Sequence, residues 1–150
     1  MPTIVDYQFR EAAANTFSLP FPLTSGTEAS LTTINLTATS ATDRLFFSAT
    51  VGWLPELLLL TPVLPTLTVR IRQGGSAPNN PVIFETTDST SLGTGSLIPL
   101  LSAPITTSIH HTNVAGSAGS QSYFLTVELE GIGSASVSGP VHLSGMSISL

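Results

Sequence analysis

Histidine, serine and the acids are the residue types here that could carry chemistry, and their spacing limits what they can do. The chain has three histidines and no cysteine, so a metal would have to be held by imidazole and carboxylate groups. His110 and His111 are adjacent in a stretch that reads as a strand, which sends their side chains to opposite faces and keeps them from sharing one ion. His142 would have to reach them across the fold, so the three read as polar strand-edge histidines with no metal site. Serines for a Ser/His/Asp triad are plentiful, but no Gly-x-Ser-x-Gly elbow stands between a strand and a helix. Glu128 and Glu130 share one strand face at i, i+2. Glycoside hydrolysis needs two carboxyl groups converging in a cleft, whereas this pair reads as outward-facing and solvated. Arg70 and Arg72 lie on the polar face of another strand and meet those glutamates if the two strands are neighbours. An exposed ladder of that kind contributes about 0 to 1 kcal/mol per pair. Asn35-Leu36-Thr37 matches a glycosylation sequon but falls inside a strand. The expectation is no catalytic residue, no cofactor and no enzymatic activity.

Strands must position these residues, because the hydrophobic period is two almost everywhere. In TLTVRIRQ, Leu67, Val69 and Ile71 alternate with Thr66, Thr68, Arg70 and Arg72. RLFFSATVGW places Leu45, Phe47, Ala49, Val51 and Trp53 on one side, and SYFLTVELE places Tyr123, Leu125, Val127 and Leu129 together. Further strands are expected in EASLTTINLTAT, with Ile34, Leu36 and Ala38 aligned, and in PVIFETT, PITTSIHHT, SASVS and PVHLSGMSISL. Gly, Ser, Asn and Pro clusters such as QGGSAPNNP and AGSAGSQS punctuate them. REAAAN is too short to stand as a helix and reads as a spacer. The fold class predicted is all-β: an antiparallel jelly-roll sandwich of about eight strands at residues 19–150, with an extended N-terminal arm at residues 1–18.

Composition closes off several functions. Of 150 residues, 9% are charged and none is lysine, and four arginines against nine acids give a net charge of −5. That leaves no basic footprint for a phosphate backbone, so nucleic acid is not an expected partner. Twenty serines and 21 threonines supply the polar surface instead. No basic region followed by an apolar run opens the chain, so no classical secretory signal is expected. The most apolar stretch, Trp53 to Pro65, contains Glu56 and three prolines and is shorter than the roughly 20 residues a bilayer span needs. A mean hydropathy of +0.37 without a membrane span implies apolar surface buried against other chains.

Two apolar segments are the candidates for that contact. Leu57, Leu58, Leu59 and Leu60 cannot all face one core from a strand, and with Trp53 they form the first, as a subunit interface or as a loop folded over the end of the barrel. The second is the opening TIVDYQF, where Val5, Tyr7 and Phe9 alternate with Ile4, Asp6 and Gln8. This strand could fold back on its own body or add to a neighbour's sheet edge.

Several stretches together resemble the small tumour-necrosis-factor-like jelly rolls of bacterial spore surfaces, the exosporium protein C family of Bacillus relatives in particular. They are IVDYQ, DRLFFSATVGW, TVRIRQGG followed by PVIFETTDS, and YFLTVELEG leading into ASVSGPVHLSGMSI. The resemblance implies a jelly roll, a homo-oligomer (a trimer or larger, or a fibre) and a structural place on the extracellular spore surface, in exosporium or appendage. Other spore-surface proteins would be further partners. The stretch from Leu54 to Leu64 is longer and more apolar than that family's pattern. The expected function is self-assembly into a surface layer or fibre through apolar interfaces, with N-terminal strand donation as one route. The alternatives are a carbohydrate-binding lectin or adhesin module and a viral or phage capsid or fibre protein.

Overall fold

The structure is a computed structural model and describes residues 1–16, 18–56, 65–89, 104–131 and 133–150. Its strands are β1 (Thr3–Ala12), β2 (Phe21–Leu23), β3 (Glu28–Ala38), β4 (Arg44–Glu56), β5 (Thr66–Gln73), β6 (Val82–Ser89), β7 (Ile105–Val114), β8 (Gly119–Glu130) and β9 (Ser134–Ser149). Among the described residues there is no helix, and so none long and apolar enough to cross a membrane. All strand pairs are antiparallel, in two sheets ordered β1-β9-β4-β7 and β3-β8-β5-β6. Each sheet draws its strands alternately from the two ends of the chain, which is the jelly-roll arrangement.

The predicted alternation makes the core. Leu45, Phe47, Ala49, Val51 and Trp53 of β4 are buried against Leu67, Val69 and Ile71 of β5 and Tyr123, Leu125, Val127 and Leu129 of β8. Phe47 and Tyr123 meet across the sandwich with ring centroids 4.8 Å apart. Fully burying side chains of this size contributes roughly 1.5–3 kcal/mol each. Asp43 fixes the turn from β3 to β4: its carboxylate accepts from the Thr39 and Ser40 amides at 2.7 and 3.2 Å and from the Thr39 hydroxyl at 2.9 Å.

The chain termini pair with each other more extensively than the sequence suggests. SASVS and PVHLSGMSISL read as two strands but form the single strand β9, because its break at Gly139-Pro140 is absorbed as an irregularity opposite β4. The register steps from Val51↔Val141 to Trp53↔Val137, and residues 138–140 bulge over Gly52, where any Cβ would collide with the Gly139 carbonyl. The N-terminal segment is extended, and residues Thr3–Ala12 run along β9 as the edge of the first sheet. Arg10–Ala12, read as part of a spacer, belong to this strand. β2, from the proline-rich LPFPL, pairs with residues 135–137 of β9, on the stretch that β1 leaves free.

Candidate functional site

Trp53 is not a surface contact. It is fully buried in its own chain, because it continues the inward series of β4. Its indole Nε1 donates to Thr107 Oγ1 at 3.1 Å, and that hydroxyl donates to Asp88 Oδ2 at 2.8 Å. The tryptophan therefore links the sheets and has no area to offer a partner, which corrects its assignment as an interface residue. Leu57, Leu58, Leu59 and Leu60 lie outside the described residues.

The arm candidates do reach the surface, with one exchange of partners. A register shift lies between Ile4 and Asp6, so Val5 is the extra residue of a bulge. It resets the alternation: Ile4 pairs with Ile148, Tyr7 with Met146 and Phe9 with Ser144. Ile4 thereby joins Tyr7 and Phe9 on the outer face, while Val5 is half-buried. Asp6 turns toward the second sheet, where its Oδ2 accepts from the Thr37 amide at 2.8 Å.

Cross-strand partners share a face, so the register builds the outer surface of the first sheet row by row. One row runs Ile4, Ile148, Arg44 and Val114; the next runs Tyr7, Met146, Phe46 and Thr112; the third runs Phe9, Ser144, Ser48 and His110. Ile4, Tyr7, Phe9 and Phe46 are 62, 56, 58 and 40% exposed, and the Tyr7 and Phe9 rings lie 6.1 Å apart. Arg44 is the one formal charge in these three rows. A shallow groove of about 310 Å³ runs between Tyr7, Phe46, His110 and Met146. Phe46 was legible in principle: consecutive phenylalanines in a strand must point to opposite faces, and Phe47 belongs to the core. Met146 and Ile148 alternate in the same way at the end of the chain.

The outer face of the second sheet is of another kind. β5 and β8 are neighbours, so Arg70 Nη1 reaches Glu128 at 2.6 Å, and Arg70 Nε reaches Glu85 on β6 at 2.5 Å. Arg72 meets neither Glu128 nor Glu130. It grips Glu28 of β3 through two hydrogen bonds of 2.6 and 2.8 Å and donates to the carbonyl of Asn80 at 2.7 Å. Thr126 also donates to Glu28. The Arg72 and Glu28 side chains are only 6 and 8% exposed. The Arg72 hydrogen bonds hold the Glu28 carboxyl below its ordinary pKa against the opposing effect of burial, and they raise that of Arg72.

The histidines stand apart. His110 is exposed on the outer face, while His111 packs against Phe84 with centroids 4.9 Å apart, and burial lowers its pKa. Among the described residues no three His, Asp or Glu side chains gather into a group able to hold a metal ion. Glu128 is engaged by Arg70 and Glu130 is exposed at the strand end.

No protein-family model matches the sequence, and no match is found among curated proteins. Solved structures with a similar fold include viral proteins. The VP2 subviral particle of infectious bursal disease virus aligns with a TM-score of 0.50 at 12% identity, over 97% of this chain and 32% of that one. The Gt strain of the same virus gives 0.51 at 9% identity, over 97% and 35%. A mutant VP2 in derived T=1 particles gives 0.50 at 11% identity, over 98% and 35%. This chain thus spans about a third of the length of the chains it matches. At such identity the likeness is one of fold.

Proposed function

We propose that the chain is a structural, non-enzymatic subunit that assembles with copies of itself through the outer face of its first sheet, as a building block of a protein shell. The observation that carries this reading is the run of Ile4, Tyr7, Phe9, Phe46, Met146 and Ile148 across adjacent strands of one face with a single formal charge among them. Contiguous apolar surface of this kind is rare on a monomer and is removed from water by a partner. Ser and Thr elsewhere supply the wetted surface.

The fold likeness favours a capsid-type subunit among the readings that the sequence leaves open. A spore-surface layer or appendage is the second reading, carried by the resemblance in IVDYQ, DRLFFSATVGW and YFLTVELEG. A lectin or adhesin has less to support it: the exposed aromatics Tyr7, Phe9 and Phe46 lie on strands of the flat outer face, and no cluster of aromatic and acidic side chains is seen at one loop end among the described residues.

Light scattering on a sizing column with negative-stain microscopy of the same fractions tests the proposal. Closed particles are expected; extended sheets or fibres would move the reading to the spore-surface layer. A monomer near 15.6 kDa at every concentration would overturn it.

A further inference from the structure

We infer that β7 is the edge at which two copies join, β7 running antiparallel to the partner's β7 about a two-fold axis normal to the sheet. This rests on the self-assembly reading and adds an edge contact to the face contact proposed there. A sandwich of two open sheets has four edge strands, and an edge strand offers unpaired amides and carbonyls to any strand that can align with it.

Three of the four edges here carry features that hinder such pairing. β1 has the bulge at Val5 and is tied to β3 by the Asp6 bond to the Thr37 amide. β3 shares that closure and has its own register shift between Ser30 and Thr32. β6 has a shift near Ile83 and carries Glu85 and Asp88.

β7 is joined to β6 through Thr107–Asp88 and His111–Phe84, but it differs from the other three in register and charge. Its ten residues, Ile105–Val114, contain no proline and no Asp, Glu, Lys or Arg. Its register with β4 runs unbroken from Arg44↔Val114 to Trp53↔Ile105, and among the described strands it is hydrogen-bonded on one side alone. The outward side chains Thr106, Ser108, His110 and Thr112 are exposed and of moderate size. A second β7 therefore meets no like charge and no kink. A two-fold axis normal to the sheet keeps outward residues opposite outward residues, so the core faces of both copies stay inside. It also brings the Tyr7–Met146–Phe46 rows of both copies onto one side of a continuous sheet, extending the apolar face.

The chain has no cysteine, which permits a direct test on the whole protein. Thr106→Cys, Ser108→Cys, His110→Cys and Thr112→Cys are made one at a time and oxidised mildly, with Asn35→Cys on β3 as the control. Opposed residues of an antiparallel pair lie within disulfide reach. The expected result is a linked dimer at one position, or at two neighbouring ones, and at least tenfold less at the others and at Asn35→Cys. Uniform or absent cross-linking in a protein that still elutes as an assembly overturns the β7 contact and leaves the assembly reading intact. A monomer without cross-links overturns both. Independently, Ser108→Lys should weaken dimerisation at least tenfold with an unchanged circular dichroism spectrum, and unchanged dimerisation would overturn the inference.

Discussion

The two sheets of this sandwich turn opposite kinds of surface outward. On β3-β8-β5-β6, two arginines and three glutamates form a connected layer in which Arg72 and Glu28 are almost removed from water. On β1-β9-β4-β7, the corresponding rows carry Ile, Tyr, Phe and Met side chains with Arg44 as the one charge. The first surface satisfies its own polar groups within one chain. The second satisfies nothing by itself, since exposed apolar area gains free energy when another body covers it. One face thus serves the stability of the subunit, and the other is the face that the proposed function assigns to association.

Changes on the two faces should separate these effects. Glu28→Ala leaves the Arg72 guanidinium nearly buried without its carboxylate, and removing one partner of such a pair costs about 3–5 kcal/mol. Urea unfolding should register that loss while the oligomer formed by folded protein stays the same. A loss under about 1 kcal/mol would mean that the layer is an ordinary surface ladder.

Acid provides a graded version. The Glu28 carboxyl has its pKa lowered in the folded state, so its stabilisation is complete above the ordinary value of 4.5 and is lost as pH falls through the lower folded value. Unfolding midpoints of the parent should fall between about pH 5 and pH 3. Those of Glu28→Gln should fall less over the same window, and parallel curves would remove Glu28 from the explanation.

On the other sheet, Tyr7→Ser combined with Phe46→Ser should change subunit stability by less than about 1 kcal/mol, because both rings are already wet. The same pair should weaken association at least tenfold, about 1.4 kcal/mol, in sedimentation equilibrium. The smallest effect is that of salt. Raising it from about 0.05 to 0.5 M should leave association nearly unchanged and cost at most a few tenths of a kcal/mol at the exposed Arg70–Glu85 pair. A steep salt dependence of assembly would show that charges, and not the Tyr7–Phe46 face, make the contact.

Period-two patterning made most of the sandwich legible, since Leu45, Phe47, Val51, Leu67, Val69, Ile71, Tyr123 and Leu125 occupy the inward positions that alternation assigns them. It failed where the chain departs from strict alternation. The bulge at Val5 swaps Ile4 for Val5 on the outer face, and the irregularity at Gly139-Pro140 joins two apparent strands into one. Trp53 was ambiguous because the alternating RLFFSATVGW runs into the apolar sequence that holds Leu57 to Leu60, and its inward parity was the better guide. The candidate surface was half visible: Tyr7 and Phe9 could be named, whereas Phe46, Met146 and Ile148 join them only through pairing.

By itself the sequence determined the all-β class, the parity of the long strands and a surface poor in charge, because these depend on residue type and a period of two. Tertiary structure decided which distant strands lie side by side. It gave Arg72 the Glu28 of β3 in place of Glu130, set the ends of the chain together along β9, and gathered apolar side chains from three strands into one face. Local spacing carries no record of such pairings, since each is chosen by the register and closure of the sheets as a whole.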